Sequence, residues 1–164
     1  MTKIRESQLY KPIREWLVSF LKRKYRNIKG IWVDDTSKIT IDNFILRKKL
    51  TSYISYWSAL KVSVDITGAV LKNNGSLHLA IVEVKTRKIN LRDLSQVIGY
   101  AKVIKPDYAF IISPNGWSKI LKYLILDLQR TDVLEYDSKK KIIIGKWDMV
   151  SNSLRAGDIL TPKE

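Results

Sequence analysis

The stretch VSVDITGAVLK (62–72), NNGS (73–76), LHLAIVEVKT (77–86) reads as two apolar strands joined by a turn. Asn and Gly supply the backbone conformations that a tight reversal needs, and β-branched residues fill both flanks. Three charged residues sit among the apolar ones: Asp65, Glu83 and Lys85. Side chains alternate along a strand, so Glu83 and Lys85 share one face while Val82 and Val84 take the other. Two carboxylates on one sheet face repel each other, and a cation between them relieves the repulsion. The simplest purpose for such a site is a divalent metal that activates water against a phosphodiester.

Register decides whether Asp65 joins Glu83. Directly opposed residues of an antiparallel hairpin have a constant index sum, and a slip of one residue turns every side chain to the other face. A hairpin centred on Asn74 puts Asp65 opposite Glu83. It needs an odd loop, such as Asn73-Asn74-Gly75 with Gly75 left-handed. A two-residue Asn74-Gly75 turn puts Asp65 opposite Val84 instead and disperses the acids unless a bulge restores the phase. The metal-site reading therefore predicts a three- or five-residue loop, or a bulge.

The remaining chain narrows the chemistry. Its 164 residues, 45% hydrophobic, suffice for one domain with a real core. A net charge of +14 points to a polyanionic partner, because such an excess otherwise only repels itself. Residues 1–64 hold 14 Lys/Arg against 5 Asp/Glu, so the basic footprint leans toward the N-terminal part. With no cysteine and one histidine, His78, thiolate zinc sites, iron-sulfur clusters and multi-histidine sites are excluded, and a catalytic metal must be held by oxygen. No apolar run spans a bilayer and the N-terminus has no signal-peptide core, so the expectation is a cytoplasmic protein with no membrane partner.

Along the chain, residues 6–26 predict an amphipathic helix with Leu9, Ile13, Trp16, Leu17, Phe20 and Leu21 on its apolar stripe. A short strand follows at 31–35. Residues 40–60 read as helix from about Asp42 and then as helix or extended chain. After the hairpin, Asn90 caps a helix that runs to about Ile104, where Pro106 stops it. YAFIIS (108–113) is a strand buried on both faces, 117–129 a helix, and DVLEYD and KIIIGKW strands around Lys139-Lys140-Lys141. The tail 151–164 is polar and predicts fraying. The expected class is α/β, a mixed central sheet flanked by helices on both faces.

This arrangement resembles the PD-(D/E)XK, or restriction-endonuclease-like, nuclease superfamily. Val64-Asp65 stands where that family has Pro-Asp, and Glu83-Val84-Lys85 stands for (D/E)-X-K. Gln96-Val-Ile-Gly-Tyr100 matches the QxxxY signature of its RecB-type branch, and Glu6 on the first helix is an acid of the kind many members place there. The likeness covers residues from about 6 to 113 and implies a single nuclease-like domain over 1–150. The proline, the upstream histidine of many RecB-type members and the cysteine cluster of CRISPR-associated members are absent.

The resemblance implies roles. Asp65 and Glu83 would hold Mg²⁺ or Mn²⁺ with the Val84 carbonyl as a third oxygen. Lys85 would orient the attacking water, Gln96 would orient the site with Tyr100 beside it, and Glu6 would bind the metal through water or neutralise Lys85. From the residues themselves, apart from the resemblance, Arg87 and Lys88 flank the acids and read as holding the scissile strand, and the basic runs containing Arg23, Lys24 and Lys48 read as tracking phosphates. The implied activity is metal-dependent hydrolysis of phosphodiester bonds in nucleic acid, DNA before RNA, by a chain whose fold also admits a homodimer. Two other readings stand beside it. One is a nucleic-acid-binding protein with a degenerate site. The other is a basic interaction module whose acids sit on opposite sheet faces as surface charge.

Overall fold

The computed structural model describes residues 3–162, so the ends of both expected ranges, Met1-Thr2 and Lys163-Glu164, lie outside the described residues. Helix α1 (Glu6–Lys24) starts where the Gln8 side chain turns back to accept the Arg5 amide, 2.8 Å away. Leu9, Ile13, Trp16, Leu17 and Leu21 form its buried stripe at helical spacing. Strand β1 (Ile28–Asp35) is followed by the short α2 (Ile41–Arg47) and two single turns, Thr51–Tyr53 and Trp57–Ala59. The segment between α2 and the hairpin is therefore neither continuous helix nor strand. Leu50, Ile54 and Leu60 anchor it in the core while its Ser and Tyr residues face outward.

The hairpin is β2 (Ile66–Lys72) and β3 (Leu77–Val84). Its pairs run from Leu71 opposite Leu77 to Ile66 opposite Val82. The loop is Asn73-Asn74-Gly75, closed by Lys72 N–H on the Ser76 carbonyl at 2.9 Å and Gly75 N–H on the Lys72 carbonyl at 2.9 Å. Gly75 has φ +85°, the left-handed value that a residue without Cβ takes at least cost. This is one of the loops that the metal-site reading predicts, and the last pair, Ile66 with Val82, leaves Asp65 and Glu83 as the next residue on each side.

Helix α3 (Leu91–Ile104) is capped by Asn90, whose Oδ1 accepts the Asp93 amide at 3.0 Å, while the Asp93 carboxylate accepts the Asn90 amide at 3.0 Å. Strand β4 (Tyr108–Ser113) then lies parallel to β3. The chain continues through α4 (Lys119–Lys122) and the small strands β5 (Glu135–Asp137), β6 (Lys140–Lys141) and β7 (Ile143–Lys146). The main sheet has the order β1-β2-β3-β4-β7, antiparallel on the β1–β3 side and parallel from β3 to β7.

The α/β expectation and the helices on both faces hold. One face carries α1 against Ile66, Val70, Ala80, Val82, Val84, Phe110 and Ile112, and the other carries α2 and α3 against Ala69, Leu71, Leu79, Ile81 and Ile111. Each fully buried aliphatic or aromatic side chain contributes about 1.5–3 kcal/mol. Gly68 lets α1 close on the sheet: a Cβ there would stand 3.1 Å from Leu21 and 3.3 Å from Leu17.

Three expectations at the C-terminal side need correction. The helix expected over 117–129 is regular only for Lys119–Lys122 and then widens over Tyr123–Asp127, where Leu128 N–H reaches back five residues to the Tyr123 carbonyl. The strand expected at 132–137 begins only at Glu135, because Thr131–Leu134 closes a tight turn. The polar tail is tied down as far as it is described: Leu160 is buried, and its amide bonds the Ile144 carbonyl at 2.9 Å. Among the described residues no helix is long and apolar enough to cross a membrane.

Candidate active site

Asp65 precedes β2 and Glu83 is the last residue but one of β3. Glu83 alternates with Val82 and Val84, which pack under α1, so its carboxylate emerges on the α2 and α3 side. Both acids are only 9% exposed. Neither acid is therefore a solvated surface charge.

The Asp65 carboxylate is held from two sides. Its Oδ2 accepts the Val84 amide at 2.7 Å and its Oδ1 accepts the Tyr10 hydroxyl at 2.9 Å. Glu83 is held by no backbone amide or tyrosine hydroxyl: its Oε2 is buried and without a hydrogen-bond partner among the described residues, and Asp65 lies within hydrogen-bonding reach of its carboxyl group. Burial first, and the neighbouring Asp65 second, push the Glu83 carboxyl up to about 9. Without a counter-charge the pair therefore favours a proton on Glu83.

Lys85 follows directly after β3, anchored by its amide on the Ile112 carbonyl at 2.9 Å. Its charge lies close enough to lower the pKa of both Glu83 and Glu6, and it forms no ion pair among the described residues. Glu6, in the first turn of α1, is raised by burial and then by Asp65, so it belongs to the same electrostatic neighbourhood. It lines an open cavity of about 670 Å³ with Lys3, Arg5, Ser7 and Thr86. Among the described residues no three acids or imidazoles gather tightly enough to cage a cation alone. The site is a carboxylate pair with Glu6 farther out.

Other expected site residues are placed differently. Gln96 donates to the Tyr100 hydroxyl at 2.9 Å on exposed α3, so the two bond each other and neither bonds the acid pair. Arg87 is occupied by Asp93, with bonds of 2.7 and 2.8 Å forming a bidentate fork. Burial works against the Asp93 charge, but that fork and the Asn90 amide outweigh it and hold the carboxyl below its ordinary range. The loop holding Lys88 is clamped to the end of β4, where the buried Ser113 hydroxyl donates to the Arg87 carbonyl at 2.7 Å and Asn115 bonds the Thr86 carbonyl. Arg23 and Lys24 lie in the last turn of α1, about 25 Å along the helix from Glu6. Lys48 is paired with Asp34 at 2.7 Å.

Tyr10 is the supporting residue that sequence reasoning missed, while Asp93 supports the start of α3 as its position indicates. Tyr10 lies four residues after Glu6, on the same helix face, which is the signal that could have marked it. A second polar cluster ties the other end of the sheet. His78, Tyr25 and Lys140 all bond Asp107, about 17 Å along β3 from Glu83. It locks the hairpin turn to β4 and β6 and takes no part in the acid pair. No protein-family model, curated protein or solved structure matches the chain.

Proposed function

We propose that this chain is a metal-dependent nuclease of the PD-(D/E)XK, restriction-endonuclease-like kind, hydrolysing phosphodiester bonds in DNA. The observation that carries the reading is Glu83 Oε2, a buried oxygen without a partner on a carboxyl group that neighbours Asp65. Burying a second carboxylate beside the first is costly without a counter-charge, and a hard cation is the counter-charge that oxygen donors prefer. The order α1-β1-α2-β2-β3-α3-β4 around the site is compatible with the same reading.

The donor set fits Mg²⁺ or Mn²⁺, which bind through one or two carboxylates and keep several waters. Asp65 and Glu83 would hold the ion with the Val84 carbonyl. Asp65 retains acceptor capacity for it, because a carboxylate offers about four lone-pair sites and two are taken. Such an ion lowers the pKa of bound water and neutralises charge at phosphoryl oxygens. The chain's own part is to fix that pair and exclude bulk water with Val84 and Tyr10. It also holds the Lys85 ammonium where negative charge grows on the phosphate. The net charge of +14 supports a DNA partner.

The test is a cleavage panel with Mg²⁺ and Mn²⁺ over linear, circular, branched and single-stranded DNA, with Asp65→Ala as control. Metal-dependent cutting that the variant lacks supports the proposal, and no cutting of any substrate sinks it. The second reading, a DNA-binding protein with a degenerate site, is favoured by Asp65 already spanning two protein donors. It expects DNA binding with no Asp65-dependent uptake of Mn²⁺.

A further inference from the structure

Buried polar residues lie between the acid pair and the end of β1. Thr36 stands beside Asp65, its amide on the Asp65 carbonyl at 2.9 Å, and its hydroxyl meets that of Thr67 at 2.8 Å. Asp34 pairs with Thr67 and so is the diagonal neighbour of Asp65, about 7–8 Å away. There the end of β1 and helix α2 enclose a cleft of about 270 Å³ whose charged lining is Arg14, Lys38, Arg47 and Lys48 against Asp34 and Asp35.

Arg14 reaches this cleft from α1, one helical turn beyond Tyr10, and donates to the Val33 carbonyl at 3.2 Å. The turn from Tyr10 to Arg14 is about 6 Å of helix rise, on the order of one nucleotide step. Asp34 orients Lys48 at 2.7 Å, which leaves two of the three ammonium hydrogens for another acceptor. Asp35 is spent on the Ser37 amide and hydroxyl, at 3.0 and 2.7 Å. Lys38 and Arg47 are exposed and have no acidic partner among the described residues.

We infer that this cleft binds a backbone phosphate of the substrate strand, the one neighbouring the phosphate at the acid pair. The inference rests on the nuclease reading for that position and on the cleft's own charge for the binding. Lys38 and Arg47 meet the phosphate directly, while Arg14 and Lys48, fixed by Val33 and Asp34, form the back of the cleft. The strand then passes the end of the sheet at the acid pair toward the β1 edge, because β2 itself is buried.

The test walks one uncharged methylphosphonate linkage along a fluorescein-labelled DNA oligonucleotide. Binding is compared between the full chain and its Lys38→Ala, Arg47→Ala double variant. At one linkage beside the cleaved bond, the wild type is expected to lose about tenfold in affinity and the variant nothing further. The slope of log affinity against log salt is expected to fall by about one in the variant. A Lys38→Arg, Arg47→Lys variant retains the wild-type slope, and unchanged circular dichroism shows that folding is intact. Equal sensitivity at every linkage in both proteins, or an unaltered slope, overturns the cleft. If no DNA is cut but the variant still lowers the slope and loses its sensitive linkage, the nuclease reading fails and the phosphate cleft survives. If DNA is cut and the slope is unaltered, the nuclease reading survives and the phosphate cleft fails.

Discussion

Asp65 comes directly before Ile66, and Glu83 directly after Val82, the last paired residues of a hairpin whose three-residue loop is closed by Lys72 on the Ser76 carbonyl. With the pair brought together, Asp65 is held by Tyr10 and Val84 while one Glu83 oxygen is left bare. The asymmetry gives the hairpin end one anchored acid and one acid in need of a proton or a cation.

The pH dependence of stability follows from Glu83. Its folded pKa lies above that of an unfolded glutamate, so its contribution is fully present below the unfolded value and drains as pH rises toward about 9. The slope is at most about 1.4 kcal/mol per pH unit. In urea unfolding of the metal-free protein, Glu83→Gln is expected to gain on the wild type between pH 5 and pH 8. Parallel profiles for the two proteins would contradict the buried proton.

Metal should act in the opposite sense. Mn²⁺ displaces the Glu83 proton, so its stabilisation of the wild type is expected to be larger at pH 8 than at pH 6. Thermal unfolding with and without Mn²⁺ measures this, and Glu83→Gln and Asp65→Ala should both lose the response.

Tyr10→Phe removes one of the two donors that fix Asp65. A hydrogen bond to a charged group contributes about 2 kcal/mol, and loss of a group that orients a ligand weakens metal binding roughly tenfold. Denaturant unfolding and calorimetric Mn²⁺ titration read the two effects separately. Unchanged affinity would reduce Tyr10 to a packing residue.

Lys85 is free of ion pairs among the described residues, so Lys85→Ala should leave stability within about 0.5 kcal/mol of the wild type. Cleavage should fall by about a hundredfold or more, with DNA affinity largely kept. A variant that fails to fold would make Lys85 structural.

Gly75→Ala forces a Cβ into the left-handed region although the space around it is open. The expected cost is about 1 kcal/mol, with Gly75→Asn costing less because Asn tolerates that conformation. Equal stabilities in urea would show that the loop does not rely on this backbone angle.

Local patterns made much of this legible. The helical spacing from Leu9 to Leu21, the Asn90 cap and the apolar run of Tyr108–Ser113 are short-range features, and each formed where its residues indicate. The turns after Arg47 and the widened coil after Lys122 were not legible, since their apolar residues suit several backbones and only the core they fill selects one.

By itself the sequence determined which chemistry is open to this protein: hard oxygen ligands, a surplus of cations and two acids with a lysine in one hairpin. Tertiary structure decided which of those groups meet. Whether Gly75 turns left-handed, whether Tyr10 reaches Asp65 from another layer, and whether Asp93 claims Arg87 depend on how the chain packs around them. The physical reason is that alternation and helical period fix a face, whereas a contact between layers also needs register and packing, which are properties of the whole sheet.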